Sequence, residues 1–219
     1  MTHGLPRSTH RESSYPRFVS APTSPHTTRW QSELDRLAEK GLDRALEVVE
    51  PDDPAIDLAS NDYLGLAGDE RLAEAAAEAA RREGVGAGAS RLVTGNRPAH
   101  EALEEAIAAY KGAERALLFS SGYAANVGVL TALAGPRDRI YADRLSHASL
   151  IDGARQSGAR FRMYRHGDLE HLRTMMAADE GEDGGRGTAY VVTDGVFSMD
   201  GDLAPLPELA DLCEEVGAV

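Results

Sequence analysis

The fold class that this sequence predicts is α/β, built on a mostly parallel sheet, and three observations predict it. Short apolar runs of strand length recur at Ala116 to Phe119, Arg139 to Ala142, Arg160 to Tyr164 and Ala189 to Thr193. Segments of helical period alternate with them, at Ala124 to Leu133, Ala148 to Ser157, Leu169 to Ala178 and Leu206 to Val216. Polar loops follow the runs, and the carboxyl ends of strands are where open α/β sheets hold their ligands. Crossover helices of this length force the strands to run parallel and cover the sheet on both faces.

The earlier part of the chain is less regular. Met1 to Thr28 is rich in Ser, Thr, Pro, His and Arg, with prolines at 6, 16, 22 and 25 that oppose an amphipathic helix, so residues 1–28 are expected to form a disordered extension. Residues 29–59 read as an N-terminal arm. Within it, Trp30 to Val49 has helical spacing interrupted at Gly41, and a short strand is expected at Ala55 to Leu58 after the Pro51 to Pro54 turn. Residues 60–219 read as the large domain. Asp69 to Glu83 is a helix closed by Gly84, and Gly84 to Arg91 is too glycine-rich for regular structure. Another helix starts at Pro98, presents Leu103, Ile107 and Tyr110 on one face and stops at Gly112. The acidic, glycine-rich piece Asp179 to Gly187 is expected to be a surface loop.

Charge and cysteine content narrow the function. With 23 basic against 36 acidic residues the net charge is −13, which disfavours nucleic acid and anionic lipid because both are polyanions. No apolar run reaches the roughly 18 to 20 residues of a membrane span, and there is no signal-peptide h-region, so a cytoplasmic location is expected. The single cysteine, Cys213, lies in a helical segment and cannot form an internal disulfide. No histidine stands at metal-ligand spacing, and no metal site is expected.

Three loops carry candidate chemistry. Ser120 to Asn126 joins a strand to a helix, which aims free N–H groups and the positive end of a helix dipole at one point, a ready site for phosphate. Gly122 would allow close approach of the anion, and Tyr123 could lie against a planar ligand; an ordinary Ser/Gly helix start has the same pattern. His147, in Asp143 to Ser149, can stack on an aromatic ring or exchange a proton, or simply cap the next helix. Ser198, in Thr193 to Asp202, can bond a phenolate or close a turn, and no Gly-x-Ser-x-Gly surrounds it. Gly84 to Gly88 lacks the spacing of a nucleotide-binding glycine loop.

Taken in order, Ser60 to Gly65, Ser121 to Asn126, Asp143 to Ser149 and Thr193 to Asp202 closely resemble the α-oxoamine synthase family of pyridoxal-phosphate enzymes, from about Trp30 to Val219. The resemblance implies a fold of the aspartate-aminotransferase type (fold type I), a homodimer, and pyridoxal 5'-phosphate as cofactor. It implies a condensation of an amino acid with an acyl-CoA that releases CO2 and CoA. The resemblance is greatest to the branch that uses L-alanine and pimeloyl-CoA to make 8-amino-7-oxononanoate for biotin synthesis; the alternative is the branch that uses glycine and acetyl-CoA. A non-catalytic remnant that binds a partner or CoA is the reading from a different class.

Carried onto this chain, the resemblance has Gly122 and Tyr123 holding the phosphate through backbone N–H groups, His147 stacking on the pyridine ring and Ser198 bonding its phenolic oxygen. Asn61 would lie near the bound amino acid, and Arg44 is a candidate cation for a substrate carboxylate. The chemistry also needs a lysine and an aspartate for the ring nitrogen. The two lysines, Lys40 and Lys111, lie in neither context. The chain is therefore expected to be the N-terminal part of such a large domain, inactive by itself.

Overall fold

A computed structural model describes residues 25–44, 46, 48–49, 56–183 and 187–219. The chain forms two compact units, Met1–Leu72 and Ala73–Val219.

In the first unit, α1 spans Pro25–Glu39 and ends before Gly41, whose φ of +63° is left-handed. Helix thus begins four residues inside the stretch expected to be disordered, while residues 1–24 lie outside the described set. Residues 42–44 are not helical, so the periodicity up to Val49 does not continue the helix past Gly41. The strand expected at Ala55 to Leu58 is not formed over 56–58, and Ala55 lies outside the described residues. Ile56 and Leu58 are exposed, and among the described residues no strand pairs with them to take up their backbone groups. Loop 60–66 is folded by its own polar residues: Asp62 accepts from Leu66 N–H at 2.8 Å and Ala67 N–H at 3.1 Å.

The second unit contains the sheet. Helix α2 (Glu70–Glu83) leads into it across the boundary, and a single π-helical turn at Arg91–Gly95 follows the glycine-rich loop. Then come α3 (Pro98–Lys111), α4 (Gly122–Leu133), β1 (Arg139–Asp143), α5 (Ala148–Gln156), β2 (Arg160–Tyr164), α6 (Leu169–Asp183), β3 (Ala189–Val192) and α7 (Leu206–Val216). The strand order is β2-β1-β3 and both pairings are parallel, with Arg139 opposite Arg160 on one side and Ala189 on the other. Val219 adds to the free edge of β3, donating to Ala189 O at 2.9 Å and accepting from Val191 N–H at 2.8 Å.

Side chains alternate across the sheet as the pleat requires. Ile140, Phe161, Tyr190 and Val192 pack with Leu130, Ala134, Leu150 and Ala154, under α4 and α5. Tyr141, Tyr164 and Val191 pack with Leu172, Met175, Met176, Leu209 and Leu212, under α6 and α7. All five residues of β1 are buried, as suits the central strand. Among the described residues no helix is long and apolar enough to cross a membrane. Cys213 is half-buried in α7, where burial pushes its thiol up.

Two sequence expectations need correction here. Ala116 to Phe119 forms no strand: at its middle, side chains meet the backbone of Leu118, whose N–H donates to Glu104 at 2.7 Å and whose O accepts from Arg91 at 3.4 Å. Asp179 to Gly187 is not a loop throughout, because α6 runs on to Asp183. Asp179 is fully buried, accepting from Tyr141 Oη at 2.7 Å and from Arg162 Nη1 at 2.6 Å. Arg160 Nη2 stands 3.2 Å from the same carboxylate. Three partners hold this acid in the interior.

Candidate active site

The topology itself points to one place. From β1 the chain moves through α5 to β2 on one side, then returns over β1 through α6 to β3 on the other. Since α5 and α7 cover opposite faces, the loops after β1 and β3 diverge, and the crevice between them is the switch point where such sheets bind ligands. A cavity of about 160 Å3 lies there, lined by Leu145, His147, Asp194, Val196, Phe197, Ser198, Met199 and Asp200. Two of the residues singled out from sequence, His147 and Ser198, therefore share a pocket.

His147 caps α5. Its Nδ1 accepts from the Ser149 N–H at 3.1 Å and lies 2.7 Å from Ser149 Oγ. Asn126 Nδ2 donates to that hydroxyl at 2.9 Å, so Ser149 passes its proton toward Nδ1. With Nδ1 occupied as an acceptor, a neutral ring carries its proton on Nε2. The His147 backbone N–H donates to Asp194 Oδ2 at 2.6 Å, which ties the loop after β1 to the loop after β3. His147 is exposed, leaving its ring face open for stacking.

Gly122 and Tyr123 open α4. Ser121 caps the helix, its Oγ accepting from Ala124 N–H at 3.1 Å and its carbonyl from Ala125 N–H at 3.0 Å. The first two N–H groups, of Gly122 and Tyr123, are left over from that cap and point outward with the positive end of the helix dipole. A Cβ built on Gly122 meets nothing within 4 Å, so the approach to these donors is clear. Tyr123 donates through Oη to Asp152 of α5 at 2.9 Å, which orients the ring and raises its phenol above the usual range. Helices α4 and α5 can lie this close because Gly153 has no side chain: a Cβ there would stand 3.1 Å from Asn126 O, Leu130 Cδ1 and Val127 Cα. The phosphate-type turn and the His147 loop are thus braced together, although Gly122 and Tyr123 do not line the cavity itself.

The loop after β3 is a tight hairpin. Val196 bridges Leu203 in antiparallel fashion, Phe197 N–H donates to Asp202 O at 2.9 Å, and Ala204 N–H to Gly195 O at 3.1 Å. Gly201, with φ of +75°, makes the reversal that a residue with a Cβ resists. Ser198 sits exposed on this hairpin, while Phe197 anchors it in the core.

Asn61 and Arg44 are exposed residues of the first unit. The residues lining the cavity include no lysine; Lys111 Nζ lies 5.5 Å over the ring of its neighbour Tyr110. Among the described residues no group of three or more His, Cys, Asp or Glu side chains could hold a metal ion. Sequence reasoning assigned no role to Asn126, Ser149 or Asp194. Their positions inside the motifs that hold Gly122, His147 and Ser198 were the available signal, but pairing them requires the fold.

A capping histidine and a serine hairpin meet at a parallel-sheet switch point, the class of crevice in which open α/β sheets bind ligands, with a glycine-opened helix start braced beside it. The chain belongs to the aminotransferase class I and II family, whose model matches residues 53–219. It is 50% identical to 8-amino-7-oxononanoate synthase of Acidithiobacillus ferrooxidans, over 86% of this chain and 51% of that protein. Against the enzyme of the same name from Alkalilimnicola ehrlichii the identity is 53%, over 82% of this chain and 44% of that one. Among solved structures, Sphingomonas wittichii serine palmitoyltransferase is 30% identical with a TM-score of 0.77, over 91% of this chain and 52% of that chain. Another serine palmitoyltransferase, 30% identical with a TM-score of 0.77, was solved with PLP. The chain spans about half the length of the curated relatives it matches. The resemblance drawn from the four motifs is borne out, and so is the fold class, α/β of the aspartate-aminotransferase type.

Proposed function

We propose that this chain supplies the phosphate-holding and ring-stacking part of a pyridoxal 5'-phosphate site, in an enzyme that condenses L-alanine with pimeloyl-CoA to 8-amino-7-oxononanoate for biotin synthesis. The observation that carries the reading is the juxtaposition of His147 and Ser198 in one crevice, with the open N-terminus of α4 braced against the His147 loop. The donor set fits the cofactor: two free N–H groups for a phosphate, an imidazole face for a ring and a hydroxyl for a phenolic oxygen.

When bound, the cofactor would supply an electron sink for negative charge developing at the amino-acid α-carbon. The residues here hold it in place. Gly122 and Tyr123 donate N–H groups to phosphate, and the exposed face of His147 sets the ring plane while Ser149 and Asn126 keep its tautomer constant. Ser198 donates its hydroxyl to the phenolic oxygen, and Phe197 fixes the hairpin that presents it. Asn61 and Arg44 are proposed contacts for the amino acid and an acyl carboxylate. A homodimer is proposed as the working assembly, supported by the exposure of Leu92, Val93, Tyr110 and Leu117. A cytoplasmic location is supported by the net charge of −13 and by the lone cysteine.

The test is CoA release, read with a thiol reagent, when the enzyme containing this chain is given L-alanine and pimeloyl-CoA. Preference for glycine and acetyl-CoA would move the assignment to the glycine C-acetyltransferase branch. Failure to retain pyridoxal 5'-phosphate would overturn both.

A further inference from the structure

We infer that His166, donating to Asp143 and Asp202 at once, is a positioning residue of the site: its imidazolium clamps the Ser198 hairpin onto the end of β1. The inference rests on reading the 147/198 crevice as a ligand site, although the clamp is testable without any ligand.

His166 lies on the loop between β2 and α6, outside the residues that line the cavity. Its Nδ1 stands 2.9 Å from Asp143 Oδ1 and its Nε2 stands 2.7 Å from Asp202 Oδ2. A neutral imidazole has one N–H, so it would turn a lone pair on one of the two carboxylates; only the doubly protonated ring satisfies both. Asp143 is the anchor. It is 1% exposed at the end of β1 and also accepts from Leu145 N–H at 2.8 Å and Gly167 N–H at 2.9 Å. Asp202 lies at the far side of the hairpin, where its carbonyl receives the Phe197 N–H. The Phe197 ring meets the His166 ring edge-on, with centroids 4.5 Å apart. Pulling on Asp202 therefore seats Phe197, and Ser198 follows Phe197 in the chain.

The charged groups around the ring agree with this. From β1 comes Asp143, from the hairpin Asp202, and from β2 the buried Tyr164, whose phenol burial and the Asp143 charge push up to about 12. On its own loop, Arg165 and Asp168 pair with each other at 2.7 Å. Hydrogen bonds to Asp143 and then Asp202 raise the His166 pKa above its ordinary value. A raised folded-state pKa means that the clamp is complete below the ordinary histidine range and is lost as pH climbs through the raised value.

The experiment follows the ring nitrogens of His166 and the amide exchange of Phe197 and Ala204 by NMR across that pH range, in the unaltered chain and in Asp202→Asn. The Asp202 side chain is 45% exposed, so the replacement leaves no buried charge. Protection factors of both amides, corrected for intrinsic exchange, are expected to fall roughly tenfold or more in step with loss of the ring proton, as for a charge-assisted hydrogen bond. In Asp202→Asn the ring should titrate lower and the amides should lose their pH dependence. Protection that ignores the state of His166, or a ring that titrates equally in both proteins, overturns the clamp. Equilibrium dialysis of pyridoxal 5'-phosphate over the same range separates the two readings. Affinity that tracks the His166 titration supports both, whereas intact NMR behaviour with no binding at any pH retains the clamp and removes the cofactor reading.

Discussion

The His147 backbone N–H and Asp194 Oδ2, 2.6 Å apart, join loops that are 47 residues apart in sequence and lie on either side of the crevice. Asp194 thereby sets the spacing between His147 and the hairpin that bears Ser198. Asp194→Ala is expected to lower stability by about 1 kcal/mol, the net worth of one such bond in a half-exposed setting. Affinity for pyridoxal 5'-phosphate should fall further, because both walls of the site move. Urea unfolding and equilibrium dialysis read the two effects separately. Asp194→Asn keeps an acceptor oxygen and should lose less of each.

Asp179 tests the core at the other end of the sheet. Removing this carboxylate would leave Tyr141 Oη without its acceptor and would take away one ion-pair contact from each of Arg160 and Arg162. Burial and then the hydrogen bond to Asp179 hold the Tyr141 phenol well above its usual range, so the phenol stays a donor throughout the ordinary pH range. Both arginine side chains are more than a third exposed, so the cost lies chiefly in the buried Tyr141 hydroxyl left unpaired, about 1 to 3 kcal/mol. Asp179→Ala should therefore show a large fall in the urea midpoint with little change in slope.

The same residue shows what the sequence hid. Asp179, Glu180, Gly181, Glu182 and Asp183 read as a loop by composition, whereas α6 runs to Asp183 and its Asp179 is held in the interior by Tyr141 and the arginines of β2, partners that no local pattern marks. Strand propensity misled at Ala116 to Phe119 for the converse reason: an apolar run is a strand only when a partner takes its backbone bonds, and here Glu104 and Arg91 take them. By contrast, α7 was legible to the residue, since prolines at its start and Gly217 at its end punctuate it locally. Gly122, His147 and Ser198 stood out because each lies in a polar loop bordering a helix or strand. Their supports, Asn126, Asp194 and His166, act across the fold and carry no local mark.

Acid should act through the Arg91–Glu104 pair. Arg91 donates to Glu104 at 2.6 Å and Leu118 N–H at 2.7 Å, which together hold the Glu104 carboxyl at about 2. A carboxylate whose pKa is lowered by folding adds stability above its unfolded value of about 4.5, and that contribution is lost as pH falls toward 2. Acid unfolding followed by circular dichroism should thus be less steep over this window in Glu104→Gln, which starts less stable at neutral pH. Equal slopes for the two proteins would remove the pair from the acid response.

Valine at Gly122 and at Gly153 separates a phosphate site from a packing site. At Gly122 a Cβ has nothing within 4 Å, so Gly122→Val should leave the melting temperature unchanged. It would nonetheless put a branched side chain over the first N–H groups of α4, and pyridoxal 5'-phosphate affinity is expected to drop about tenfold or more as the anion is held away from them. At Gly153 the added Cβ lies 3.1 Å from two atoms of the α4 backbone and from Leu130, and the bulk beyond it must push α4 and α5 apart. Gly153→Val should cost about 1 to 3 kcal/mol of stability by overpacking, and should lose affinity as well because His147 caps the helix that moves. Dialysis alone cannot distinguish these variants; melting curves can. Normal affinity in Gly122→Val would reduce the Ser121 turn to an ordinary helix start, whatever Gly153→Val does.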